Sequence, residues 1–110
     1  MATSYKVLGQ LAPSATTATT LYTVPSATDA VVSTIVVCNR DAATATYRIA
    51  VRPDGATLAN QHYIAYNVTV GASDSTTITL GLTVNAGDVI EVYASTANLS
   101  FNAFGTEITA

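Results

Sequence analysis

A single cysteine, a single histidine, a single lysine and no tryptophan stand in these 110 residues. Cys38 alone excludes an intrachain disulfide, so the fold must hold by packing. It lies in the apolar run Val31–Cys38, where a small buried thiol is the expectation. Charged residues make up 10% of the chain, against about 25% in an ordinary domain. Net charge is −3 with only four basic residues. Nucleic acid binding needs a basic field that displaces phosphate counterions, and anionic membrane surfaces need a similar one, so neither is expected as a partner. No apolar run reaches the length that spans a bilayer. Met1–Gly9 carries no apolar signal core, which leads to the expectation of a chain made in a cytoplasm and not exported by a signal peptide of its own.

Hydrophobic residues are 49% of the chain and mean hydropathy is +0.37. Disordered chains are poor in such residues, and a sandwich of this length buries a core without staples. Thr, Ser, Ala and Asn must therefore build the solvent face. Thr suits a pleated surface because its branched Cβ stiffens χ1. A hydroxyl is cheaper to dehydrate than a charge, and short side chains lose little entropy on contact. Such a surface fits a protein that lives packed against neighbours.

The apolar residues recur with period two, and no segment shows a helical period. The expectation is all-β: one β-sandwich of about eight strands over residues 1–110, with jelly-roll and immunoglobulin-like Greek-key topologies both open. Strands are expected over Tyr5–Gln10, Leu21–Val24, Ala30–Arg40, Tyr47–Val51, Gln61–Val70, Thr76–Leu82, Val89–Ala94 and from Leu99 towards Ile108. Ala30–Arg40 is apolar on both faces and reads as a central strand covered on both sides, at least in part. Tyr47, Ile49 and Val51 should face the core. In Gln61–Val70 the more apolar set is His62, Ile64, Tyr66, Val68 and Val70, opposite Tyr63, Ala65, Asn67 and Thr69. Ile78, Leu80 and Leu82 should point inward, as should Ile90, Val92 and Ala94. Turns are marked by RPDG at Arg52–Gly55 and NAGD at Asn85–Asp88, where Pro fixes φ, Asp bonds nearby backbone and Gly accepts positive φ. Leu11–Thr20, with Pro13, reads as an extended loop or arm.

Catalysis needs an acid, base or nucleophile with a partner in reach. His62 has none nearby in sequence, and no serine elbow occurs, so no enzyme is expected. Asp41, Asp54, Asp74 and Asp88 sit in separate turns, where backbone bonding is the plain reading and a calcium site from loops at one end the alternative. No cofactor motif is present and none is expected. Two groups stand out as protein-contact candidates. Arg48 and Arg52 lie four apart on one strand face in a chain with little other basic charge, and Arg is favoured at interfaces. Tyr63 and Tyr93 fall on the less apolar sides of their strands, where Tyr marks a protein interface or a sugar-stacking platform.

Several segments carry a family likeness: the opening YKVLGQLAPSATTATTLYTVP at 5–25, AVVSTIVVCNRDAATATYRIAVRPDGATLANQHYIAYNV at 30–68 and TITLGLTVNAGDVIEVYASTANLSFNAFGTEI at 77–108. The chain resembles small virion structural proteins of tailed phages. That resemblance implies a capsid decoration (cement) protein, or a neck, tail or fibre module that could include a glycan- or receptor-binding one. It implies location in the virion and partners among the major capsid, neck or tail proteins. It also implies a homo-oligomer, with a trimer suiting a cement role at a threefold.

Overall fold

The computed structural model describes residues 2–109. Eight strands run in chain order: β1 (Ala2–Leu11), β2 (Thr19–Thr23), β3 (Thr28–Asn39), β4 (Ala45–Arg52), β5 (Tyr63–Val70), β6 (Ser75–Asn85), β7 (Val89–Ala94) and β8 (Leu99–Thr109). Two short 3-10 turns, Pro53–Gly55 and Asn60–His62, lie between β4 and β5. The strands form two antiparallel four-stranded sheets, ordered β1-β8-β3-β6 and β2-β7-β4-β5. Pairing is nested: β1 with β8, β2 with β7, β3 with β6 and β4 with β5. All connections except β4–β5 cross between sheets. This nesting is the jelly roll, and it decides between the two topologies the alternation left open.

The slab measures 45 × 28 × 19 Å. Its core lies between the sheets, where Val32, Ile35 and Val37 of β3, Ile49 of β4, Ile90 and Val92 of β7, and Leu99 and Phe101 of β8 are fully buried. Tyr47 meets Phe101 edge to face at 6.3 Å between centroids, a favoured aromatic geometry.

Bulges correct several face assignments. An extra residue shifts every later side chain to the other face. In β3 the register breaks at Ser33. Ala30 and Val32 point inward before it, and Ile35, Val37 and Asn39 after it. β3 is central, between β8 and β6, and its other face is half-buried by those flanking strands, so the second face is covered in part but not by a further layer of the described residues. Cys38 lies on that outer face, half-buried rather than buried. In β6 an extra residue at Leu80–Gly81, with Gly81 at φ 74°, leaves Leu80 37% exposed, not inward. In β5 two register breaks leave Ile64, Tyr66 and Val68 exposed. Tyr66 lies on the outer face, whereas Val68 pairs with the inward-facing Tyr47 and is exposed because β5 is an edge strand, and Val70 is buried. Ile78 and Leu82 do pack against the core, as do Ile90, Val92 and Ala94.

The segment 12–18 carries the chain from one sheet to the other. Pro13 is buried, and Thr16 N–H donates to the Ala94 carbonyl at 2.8 Å.

Candidate protein-contact site

The four contact candidates come together on the outer face of the β2-β7-β4-β5 sheet. Arg48 of β4 pairs directly with Tyr93 of β7, and Ala50 lies between Glu91 on one side and Tyr63 on the other. One face of three adjacent strands therefore presents Arg48, Arg52, Tyr63, Glu91 and Tyr93. Period-two alternation brings this about directly, because the even residues of β4 all point outward.

Arg48 is held on three sides. Its guanidinium carbon lies 4.4 Å from the centroid of the Tyr66 ring and 4.2 Å from that of Tyr93. Both separations are cation–π distances. Its Nε donates to Asn67 Oδ1 at 2.8 Å. Tyr63 packs edge to face on Tyr66 with centroids 4.9 Å apart. Among the described residues the terminal guanidinium nitrogens of Arg48 have no protein acceptor, and Tyr66 is 56% exposed. Tyr66 and Asn67 escaped the sequence reading, which set Tyr66 on the face opposite Tyr63. The extra residue at Ile64, between Tyr63 and Ala65, brings both rings to one side, and a second break follows Tyr66 with Asn67 at φ 52°. An asparagine tolerates that backbone conformation better than most residues, and this was the one faint signal available.

Arg52 has a different environment. Its Nη1 pairs with Glu91 Oε1 at 2.7 Å, Nε donates to the Ala56 carbonyl at 2.6 Å and Nη2 to the Gly55 carbonyl at 3.0 Å. It clamps the RPDG turn onto β7. That turn packs on the NAGD turn: Asp54 N–H and Asn85 N–H donate to the two carboxylate oxygens of Asp88, at 2.8 and 2.9 Å. The segment after the clamp folds back over the sheet, and Leu58 joins Ala50, Tyr63 and Tyr93 around a small cleft. This explains why Ala50, expected to face out, is buried.

The remaining candidates are dispersed. His62 Nδ1 accepts from Ala59 N–H at 3.1 Å and closes a 3-10 turn. Asp41 accepts from Asn98 Nδ2 and from Ala42 N–H, which hold its carboxyl below the usual value. Asp74 bonds Ser75 N–H. Among the described residues no three His, Cys, Asp or Glu side chains gather where a metal ion could be held. No helix among them is long and apolar enough to cross a membrane.

No protein-family model matches the chain, and no curated protein matches it in sequence. Among the solved structures that align with it are two described as a pentameric capsid protein isolated from metagenomic phage sequences, one of them solved by iodide SAD phasing. Identity is 20% and 21%, the alignments cover 94% of this chain, and the TM-scores are 0.38 and 0.36. The chain spans 61% and 64% of the length of those two proteins.

Proposed function

We propose that this protein is a non-enzymatic structural component of a phage virion, a capsid decoration (cement) protein that docks through the outer face of the β2-β7-β4-β5 sheet. The observation that carries the docking face is Arg48 held between Tyr66 and Tyr93. Binding normally costs about 0.5–1.5 kcal/mol for each long side chain that is immobilised. Stacking and the Asn67 bond have already ordered this one, and its terminal nitrogens remain for a partner's carboxylate or carbonyl groups. Tyr and Arg clusters of this kind dominate binding energy at interfaces. The virion context rests on the sequence resemblance to tailed-phage structural proteins. The weakly charged surface accords with a chain that packs against several coat subunits at once, where modest linked contacts multiply.

Phage heads assembled without this chain test the reading. Adding back the purified protein should saturate the heads and restore their resistance to heating. Arg48→Ala, with unchanged circular dichroism, should bind roughly 30-fold more weakly, the size of an interface hot spot. Heads equally resistant with and without the chain, or an Arg48→Ala variant that binds as well as the parent, would overturn it. A second reading, a fibre or tail module for host glycans, is favoured by the shallow depression between Asn60, Tyr63 and Tyr66. Glycan-array binding lost on Tyr63→Ala would select that reading instead.

A further inference from the structure

The opposite side of the sandwich raises a separate question, independent of the contact site above. The outer face of the β1-β8-β3-β6 sheet carries no charged side chain between Asp29, at one end of β3, and Arg40, just beyond the other. Register places Val7, Phe104, Thr34 and Thr79 in one row across all four strands. Tyr5, Val7 and Phe104 on this face are 84%, 48% and 36% exposed. From strand spacing and rise, the face covers roughly 650 Å² in projection, close to the about 800 Å² that each partner of a stable pair buries.

An uncharged face repels partners that would bury unpaired charge against it. It matches another uncharged face, and its charged ends give it a polarity. Asp29 is exposed and has no ion-pair partner among the described residues. It borders an open depression lined also by Ile108, Asn85, Val31 and Thr83. At the other end Arg40 lies over the same face, its Nε donating to Ser100 Oγ at 2.9 Å and its Nη2 to the Ala97 carbonyl at 3.1 Å. No carboxylate pairs with it among the described residues. The midpoint of positions 29 and 40 falls beside Thr34, in the transverse row.

We infer that this face docks onto the same face of a second copy, about a twofold axis lying along the Val7–Phe104–Thr34 row. Rotation about that axis lays β3 antiparallel over the partner copy's β3. It sets each Asp29 opposite an Arg40 twice, and brings Phe104 against its own symmetry mate. Each sheet side thus supplies what the other needs, which is the requirement of an isologous interface. The resulting assembly is a twofold pair, distinct from the trimer expected from resemblance.

Sedimentation equilibrium of the purified chain should show a dimer at micromolar concentration. Phe104→Lys sets two like charges on the axis and should raise the dissociation constant roughly 100-fold or more, since forced like charges cost several kcal/mol. Asp29→Arg and Arg40→Asp should each weaken the pair, and the double exchange should restore it. A Thr34→Cys, Cys38→Ser variant should be joined into a covalent dimer by a short bismaleimide, whose span bridges sheets stacked about 10 Å apart, an assay that needs no disruptive substitution. A monomer throughout the micromolar range, a Phe104→Lys dimer of unchanged affinity, or a double exchange weaker than both single ones would overturn the inference.

Discussion

Glu107 has two partners of different kinds, one in its own sheet and one that joins it to the other. On β8, it accepts from Tyr22 OH of β2 at 2.5 Å and pairs with Lys6 Nζ of β1 at 2.7 Å. The carboxylate is 9% exposed, and these partners make its burial tolerable. The bond from Lys6, then that from Tyr22, hold the Glu107 carboxyl below its usual pKa against the opposing effect of desolvation. Burial, then the bond to Glu107, push the Tyr22 phenol well above its usual value. A lowered carboxyl stabilises the fold above its ordinary value, and that stability is lost as pH falls through the lowered value. A raised phenol stabilises below its ordinary value, and that stability declines above about pH 10. Tyr22→Phe should therefore cost about 2 kcal/mol at neutral pH, the worth of a hydrogen bond to a charged group. The cost should shrink in acid as Glu107 protonates. Urea unfolding across pH checks this, and a cost that does not vary with pH would contradict it.

At the scale of the elements, the transverse row in the first sheet is a line of register breaks. Leu8 of β1, Ser33 of β3 and Leu80–Gly81 of β6 each add a residue beside it, while β8 runs through unbroken. Such bulges sharpen local twist. β8 passes close to β3 here because Gly105 has no side chain. A Cβ on Gly105 would run into the Val31 carbonyl oxygen and lie 3.1 Å from Leu8 Cδ1. Gly105→Ala should cost about 3 kcal/mol, at the high end for overpacking, because backbone cannot give way as a side chain can. Equilibrium denaturation checks it, and a loss below about 0.5 kcal/mol, the range of neutral surface changes, would show that β8 yields. These same breaks limit what the sequence discloses. The strands were legible because alternation survives within each stretch between bulges, as in Leu99, Phe101 and Ala103 of β8. Facing was lost where an extra residue entered, at Leu80 and Tyr66, since a bulge leaves little compositional mark. Arg48 and Tyr93 could each be placed on an outward face because their strands are regular there, but their pairing across the sheet could not be read from either strand alone. Tyr66 could not be so placed, because the extra residue in β5 reset its face, and neither was the Lys6–Glu107–Tyr22 link legible, which depends on pairings across long sequence separations.

Over the whole molecule, the nesting of strand pairs sets the folding problem. Among the described residues β4 and β5 are the only sheet neighbours consecutive in sequence, and every other pair closes a longer loop. Such topologies fold in roughly milliseconds to seconds. Growth outward from the β4–β5 pair is the order that closes the shortest loops first. Ile49→Val should then mainly slow refolding, whereas Leu8→Ala in the outermost pair should mainly speed unfolding. Stopped-flow chevrons for the two variants would show this division, and the reverse assignment would place the nucleus elsewhere.

The outermost pair also has a mechanical consequence. Ala2 stands opposite Thr109 where β1 and β8 run antiparallel side by side. Tension that separates these two positions loads their hydrogen bonds one after another, as a zipper is opened, and meets little resistance at any instant. A pull spread across either broad face engages many contacts simultaneously. The protein is therefore built to carry strain through its flanks and to yield readily when drawn by its own backbone.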